Sequence, residues 1–262
     1  MTTAGQDLVR GLAKWHISSR LGWLEIRRRY RRTIIGPFWN SINLGILVVA
    51  LGGIGVGLWK QNVATYVPFL TAGLIVWILI STIVSESCLL FVISQNLFRQ
   101  VRFDYSILAY SLVWRNFIAF LHNLLVYAVA VLILAPHLMQ PVILLMLPGL
   151  FLVLLNGVWV ALLLGMACLR YRDLQQLVGN LIQIAIFITP IFWPPELLEG
   201  MYRTAFVSLN PLFHLIQIVR APMVGVVPSI GNYLVVIGIT ATGWAVTYWM
   251  FSKFRKRIAY WS

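Results

Sequence analysis

Five arginines occur within six residues of the N-terminal arm, at Arg27, Arg28, Arg29, Arg31 and Arg32. An uncharged stretch follows from Thr33 to Trp59 and is long enough to cross a bilayer. Cations beside an apolar span fix its orientation and face anionic headgroups. The block therefore predicts contact with a membrane surface, and we assign the net charge of +13 to that contact and not to nucleic acid.

Glu86 and Arg115 lie inside predicted membrane spans, where a charge is costly and is normally paired. Both are nearly the same distance along the chain from the turn near Gln100, so an antiparallel hairpin of helices places them at similar depth. We interpret them as an intramembrane pair that joins the two helices. Part of a polar pathway through the membrane is the alternative.

The remaining polar residues form no recognisable catalytic or metal-binding pattern. The seven acidic residues and four histidines are scattered, without the spacing of a zinc site or of a nucleophile beside a base. The chain lacks the GxxxxGK[ST] loop that cradles nucleotide phosphates, so any ATP hydrolysis must come from another chain. Cys88 and Cys168 lie in apolar runs and are interpreted as small packing residues. We expect no catalytic residue, metal or cofactor in this chain.

Apolar runs dominate the sequence, which is 60% hydrophobic and 10% charged, unlike a soluble domain. Hydropathy predicts an all-α integral membrane protein with six transmembrane helices, near 38–59, 66–94, 106–135, 142–168, 177–192 and 231–252. Most Lys and Arg residues fall on one side of this arrangement. The positive-inside rule therefore places both termini in the cytoplasm.

The first 35 residues are predicted to form a cytoplasmic amphipathic helix in the membrane interface, followed by a transmembrane domain over 36–262. Apolar residues recur close to a helical spacing, at Leu8, Leu12, Trp15, Trp23, Ile26 and Tyr30. A basic anchor that only orients the protein and an element with a specific role both fit this pattern.

The segment 193–230 is the least regular part of the chain, with five of the 11 prolines in a sequence too apolar for an ordinary loop. We predict a re-entrant external hairpin between the fifth and sixth helices. Non-helical backbone persists at membrane depth only where protein or a water-filled cavity satisfies it. A cavity or pore mouth is therefore implied.

Two predicted cytoplasmic turns, SQNLFRQVRFDY and CLRYRDLQQL, suit docking to a partner protein as well as to headgroups. The candidate docking residues are Phe98, Arg99, Arg102, Asp104, Arg172 and Asp173. Most aromatic residues fit an interfacial belt, whereas those at mid-depth could stack on a sugar chain. The candidates for a channel or gate are Tyr66, Trp77, Phe187, Phe192, Trp193 and Phe213.

Several segments resemble, in order, the permease subunit of bacterial polysaccharide ABC exporters of the ABC-2 type, which move lipid-linked O-antigen and related cell-wall glycans. The segments are RRRYRRTIIGPFW, PFLTAGLIVWILIS, NLFRQVRFDYSILAYSLVWRNFIAFLHNLLVY, YRDLQQL, TPIFWP and LNPLFHLIQIVR. Together they extend over nearly the whole chain.

The resemblance implies a homodimer of this chain with two copies of a separate ABC ATPase, in the bacterial cytoplasmic membrane. The N-terminal helix and the two turns would contact the ATPase, and the hairpin at 193–230 would gate the far side. The arginine block becomes a candidate receptor for the pyrophosphate of a lipid-linked glycan, because guanidinium groups bind phosphate oxygens bidentately. Aromatic faces would let sugar rings slide.

Two other classes stay open at this point. A membrane-embedded transferase acting on lipid-linked sugars would need a constellation of acid, base or metal ligands. An ion channel or secondary transporter would show inverted halves or a row of intramembrane charges. Neither pattern is evident in the sequence, and we expect a transport permease.

Overall fold

The computed structural model describes residues 3–94 and 104–261, and its regular elements over that range are helical. The principal helices are α1 (Ala4–Ala13), α2 (Trp15–Tyr30), α3 (Phe38–Trp59), α4 (Val63–Ser87), α5 (Ser106–Leu134), α6 (Met146–Arg170), α7 (Asp173–Ile188), α8 (Pro211–Met223) and α9 (Ile230–Trp261). Short helical turns lie between them, at Leu90–Ile93, Pro136–Leu138, Pro141–Leu145, Pro195–Leu197, Gly200–Arg203 and Thr204–Ser208.

Within the described ranges, five helices are long and apolar enough to cross a membrane: α3, α4, α5, α6 with its preceding turn, and α9. They coincide with five of the six predicted spans. The other prediction, 177–192, corresponds to α7, whose 16 residues rise about 24 Å and fall short of a hydrocarbon core of about 30 Å. Thr189 is extended ahead of Pro190, a residue that disfavours helix in the one before it, so α7 ends at Ile188.

Helix α4 is the centre of the bundle. Helices α3, α5, α6, α7 and α8 pack against it, and it is the most buried of the long helices. Leu70, Leu74 and Ile75 are fully buried along it. Lipid tails are as apolar as these side chains, so close packing more than the hydrophobic effect holds such helices together. The bundle therefore depends on the fit of its neighbours around α4.

The predicted external hairpin has a packed half and an exposed half. Helix α8 is buried among α4, α6 and α9. Tyr66 Oη donates a hydrogen bond to Phe192 O at 2.5 Å, and Arg220 Nη1 donates one to Pro190 O at 2.6 Å. The segment 195–209 consists of short turns with exposed apolar side chains. The loosely packed parts of the hairpin are therefore this segment and the short irregular stretch after α8, where Val226 and Val227 are exposed.

The predicted N-terminal helix is two helices, α1 and α2, which meet at Lys14 and pack along the first half of α5. Half of the predicted apolar stripe faces away from the protein: Leu12, Trp15 and Trp23 are exposed, whereas Leu8, Ile26 and Tyr30 are half-buried. The buried positions are instead small or polar: Asp7, Gly11, Ser18 and Gly22. The exposed stripe is free to contact lipid, while the polar face docks onto the bundle.

Asp7 connects the two ends of the chain. Its fully buried carboxylate accepts hydrogen bonds from the backbone N–H groups of Tyr105 and Ser106, at 3.2 and 3.0 Å, where it meets the positive end of the α5 dipole. Arg255 of α9 lies 2.6 Å from the same carboxylate. Helices α1, α5 and α9 therefore meet at one point, and both ends of the chain lie on the same side of the bundle.

Glycines allow α1 and α2 to approach α5 closely. A Cβ atom at Gly11 would overlap Ser106 Oγ, and one at Gly22 would lie 3.0 Å from Ser111 O. Any larger residue at these positions would push the N-terminal segment off the bundle.

We predict that Gly11→Ala loosens α1. Overpacking of this kind typically costs about 1–3 kcal/mol, more than the ~1 kcal/mol by which alanine favours a helix over glycine. Tryptic cleavage within the N-terminal segment of the purified protein, followed by mass spectrometry, should accelerate. Gly5→Ala is the matched control in the same helix, because its Cβ would meet only an ordinary contact, 3.6 Å from Tyr248 Oη. Unchanged cleavage of Gly11→Ala would refute the close packing.

Candidate functional site

A cavity of about 370 Å³ lies between α2, α3, α4 and α5. The walls contributed by α4 are mainly apolar, whereas α2 and α5 contribute charged and hydrogen-bonding groups. The charged and polar side chains include the Glu25 carboxylate together with Arg28, Arg29, Arg115, Asn116, His122 and Asn123. The structure thus brings part of the arginine block and Arg115 of the intramembrane pair to one cavity.

Arg115 is the centre of an ion-pair cluster. Its Nε and Nη2 donate to Glu86 Oε2 at 3.1 and 2.8 Å, and its Nη1 forms an ion pair with Glu25 of α2. Arg29 Nη2 donates to Glu86 Oε1 at 2.6 Å, and Asn116 Nδ2 donates to Glu86 Oε2 at 2.9 Å. Glu86 and Arg115 are therefore in contact, but within a four-charge cluster that joins α2, α4 and α5.

The cluster balances two carboxylates against two guanidinium groups. The side chains of Glu86 and Arg115 are each 18% exposed, so neither charge is well solvated. Removing one partner from such a site leaves a charge without compensation. Burial lowers the pKa of Arg29, but its hydrogen bond to Glu86 and the Glu86 charge outweigh burial and raise that pKa above its usual value. Arg29 therefore remains a cation at any physiological pH.

The five arginines of the block do not share one environment. Arg28 and Arg29 border the cavity, while Arg27, Arg28 and Arg31 border a second groove on the other side of α2. Arg32 borders neither and is exposed. Of the five, only Arg29 forms an ion pair within the described residues. Arg28 is thus a cation at the cavity whose charge is not balanced there.

The turn between α2 and α3 sets the position of these arginines. Gly36 has a φ of 65°, a left-handed conformation that glycine adopts readily, and it lets the chain reverse into α3. Asn40 Nδ2 donates to Tyr30 Oη at 2.9 Å and ties the end of α2 to the start of α3. On the opposite wall, Ser41 Oγ donates to Asn123 Oδ1 at 3.2 Å. The polar groups are therefore carried by packed helices.

The candidate docking residues lie in three different settings. Phe98, Arg99 and Arg102 lie outside the described residues. The Asp104 carboxylate is 2.8 Å from Lys14 Nζ and only 12% exposed, so it holds the junction of α1 and α2. Arg172 and Asp173 are exposed at the start of α7. Of the described candidates, these two remain free to meet a partner.

Three of the six aromatic candidates for a channel or gate lie inside the bundle. Tyr66, Trp77 and Phe213 are buried, since α4 and α8 pack them inside the bundle. As folded here these three side chains pack the interior of the bundle, and their assignment as channel or gate residues stays a prediction.

The other three aromatic candidates gather at the end of α7. The Phe187 and Phe192 rings are 5.8 Å apart, and Trp193 Nε1 donates to Phe187 O at 3.0 Å. Phe187 is exposed, and its two neighbours are half-buried. These three rings form a surface cluster that remains a candidate contact for a polymer.

Sequence reasoning missed Glu25, Asp7 and Lys14, each of which forms an ion pair with the bundle. The spacing of these residues in the sequence does indicate their position. Together with Gly11, Ser18, Gly22 and Arg29 they recur every three or four residues, which places them on one helical face. A polar and small-residue stripe opposite an apolar one indicates which side of an interface helix docks onto protein.

The model of the ABC-2 type transporter family matches residues 19–224. That range runs from α2 to the end of α8 and includes every wall of the cavity. The O-antigen export system permease protein RfbA of Myxococcus xanthus is 27% identical over 201 residues, which cover 75% of this chain and 76% of the relative. The resemblance seen in the sequence is confirmed at the level of the family. The family match shows that the chain belongs to the ABC-2 type transporter family, and its long apolar helices agree with a multi-pass membrane permease.

Proposed function

We propose that this chain is the membrane-spanning subunit of an ATP-driven exporter that moves a lipid-linked polysaccharide, O-antigen-like or another cell-wall glycan, across the bacterial cytoplasmic membrane. The observation that carries the proposal is the cavity bordered by Arg28 and Arg29 beside the first membrane helix. The printed name of the Myxococcus xanthus relative supports O-antigen as the substrate class. ATP is bound by a separate ABC ATPase subunit.

The ligand that fits the cavity is the pyrophosphate group of the lipid carrier. Guanidinium groups bind phosphate oxygens through paired hydrogen bonds, and Arg28 forms no ion pair with a carboxylate of the described residues. Asn40, His122 and Asn123 add hydrogen-bonding groups at the same cavity. The apolar side chains of α4 suit the adjoining lipid chain.

The chain ends support a sixth crossing. Asp7 and Arg255 are in contact, so the two ends share one side of the bundle, which requires an even number of crossings. Five helices are long enough to cross, and α7 with the residues after it supplies the sixth. The positive-inside rule makes the shared side cytoplasmic, so the arginine cavity lies at the cytoplasmic leaflet.

The exposed face of α7 supports a pathway between two copies of the chain. Gln176, Asn180 and Gln183 lie on one side of this apolar helix, are exposed, and have no hydrogen-bond partner in the described part of the chain. Unsatisfied amides are costly in hydrocarbon. We therefore place this face against a second copy or a water-filled path, with Phe187 at its outer end.

Coupling to the ATPase would pass through the cytoplasmic ends of the helices. Arg172 and Asp173 are exposed where α6 gives way to α7, the helix that borders the proposed pathway. Closure of the two ATPase subunits against this turn would move α7 and change the width of the path.

We predict that Arg28→Lys lowers glycan export and substrate-stimulated ATP hydrolysis about tenfold, because a charged hydrogen bond is worth about 1.5–3 kcal/mol and lysine lacks the planar fork. Membrane insertion and binding of the ATPase should be unchanged, since the charge is kept. Surface glycan in cells that lack the native permease is the measurement. Arg32→Lys, the control outside the cavity, should export normally. If the Arg28→Lys variant exported glycan at the native rate, the arginine block would serve only as a membrane anchor.

We predict that Asp173→Arg weakens co-purification of the ATPase and lowers export while the permease remains folded. Glu199→Arg is the control, because it makes the same charge reversal at an exposed position of the external hairpin and should retain the ATPase fully. Pull-down of the ATPase from membranes compares the two variants. Equal retention in both would remove Asp173 from the docking surface.

A further inference from the structure

Arg29 is part of both the cavity and the ion-pair cluster around Arg115. It borders the cavity, and its Nη2 donates to Glu86 Oε1 at 2.6 Å. The Glu86 carboxylate does not border the cavity, so Arg29 stands between the cavity and its own counter-ion. The Arg29 side chain is 54% exposed, which leaves it accessible to a second anion.

Helix α2 is attached to its two neighbours in different ways. Along α5 it is closely packed, through Gly22 and the partly buried Leu21, and the ion pair of Glu25 with Arg115 adds to that packing. Toward α4 no comparable packing is seen in the described part of the chain. The attachment of α2 to α4 therefore depends on the ion pair of Arg29 with Glu86 at the rim of the cavity.

The two ion pairs that hold α2 run through the same cluster. Arg29 of α2 binds Glu86 of α4, and Glu25 of α2 binds Arg115 of α5. A phosphate group in the cavity attracts both arginines and repels both carboxylates. One ligand therefore weakens both attachments together.

We propose that α2 is a latch that an anionic headgroup opens: a phosphate group in the cavity replaces Glu86 as the partner of Arg29 and frees α2 from α4. The proposal rests on the proposed function for the identity of the ligand, the phosphate group of a lipid carrier. Arg28 is the first contact, because it is not paired within the described chain. The ligand then moves with α2, which carries Arg28 and Arg29.

Displacement of α2 would reach the cytoplasmic side of the permease, which is proposed to face the ATPase. Helix α2 continues from α1 at Lys14, and Lys14 pairs with Asp104 at the start of the segment leading into α5. A bound headgroup would thus be signalled to the docking surface through one covalent connection and one ion pair.

The latch has a thermodynamic signature that a merely structural Glu86 does not share. When Glu86 competes with the ligand for Arg29, removal of its charge must strengthen ligand binding. If Glu86 only shaped the cavity, its removal would leave binding unchanged or weaken it. The two roles predict different directions of change in affinity.

The test uses the full-length chain in lipid nanodiscs with two probes, inorganic pyrophosphate and farnesyl pyrophosphate, titrated by calorimetry. Glu86→Gln keeps the shape of the side chain and removes the charge, and we expect about tenfold tighter binding. Glu199→Gln removes an equal charge from an exposed position of the external hairpin and should bind like the native chain. Tighter binding of farnesyl pyrophosphate than of pyrophosphate assigns the site to a lipid headgroup, and equal binding assigns it to phosphate from any source.

A second measurement needs no change at Glu86, so it stands even where Glu86→Gln does not accumulate. Spin labels at Arg20→Cys on α2 and Leu121→Cys on α5, both exposed, are placed in a chain with Cys88 and Cys168 replaced by alanine. Pyrophosphate should lengthen or broaden the distance between the labels.

An unchanged distance under saturating probe, or affinity in Glu86→Gln equal to or below native, would overturn the latch while leaving the headgroup site intact. Absence of binding by either probe to either chain would overturn the latch and the proposed headgroup site together.

Discussion

The guanidinium group of Arg115 organises this protein. It lies on a long apolar helix with its side chain only 18% exposed, and carboxylates from two other helices bind it, Glu25 of α2 and Glu86 of α4. A charge in such a place persists only with partners. Because those partners lie on separate elements, the need to satisfy one cation fixes α2 against α4 and α5 and closes the cavity between them.

The N-terminal arm differs from the packing pattern that is usual for a surface helix. In a soluble protein the apolar stripe of a surface helix faces the core. Here Leu12, Trp15 and Trp23 face outward, and charged or small residues face the bundle. With the arm at a lipid interface, as proposed, its apolar exterior would serve as an anchor, and its ion pairs would leave it sensitive to charges that enter the cavity.

Hydropathy predicted the long helices well, because spans such as α3 and α5 are set by length and apolar composition alone. The contact of Glu86 with Arg115 also followed from the sequence, since two charges equidistant from a turn on antiparallel helices reach the same depth. The missing information concerned partners across the fold. The ion pair of Glu25 with Arg115 depends on how α2 lies along α5, which hydropathy does not encode. Buried aromatics such as Tyr66 and Trp77 look the same in sequence as those that face a path.

Hydrogen–deuterium exchange of α2 tests most directly whether the Arg115 cluster holds this helix in place. With Arg115→Gln, both ion pairs of the Arg115 side chain are lost, and the free energy that opens α2 should fall by more than about 1.4 kcal/mol. The account predicts that backbone amides between Ser18 and Tyr30 exchange at least about tenfold faster than in the native chain, while α9 exchanges at its native rate. Native protection of α2 in the Arg115→Gln chain would contradict it.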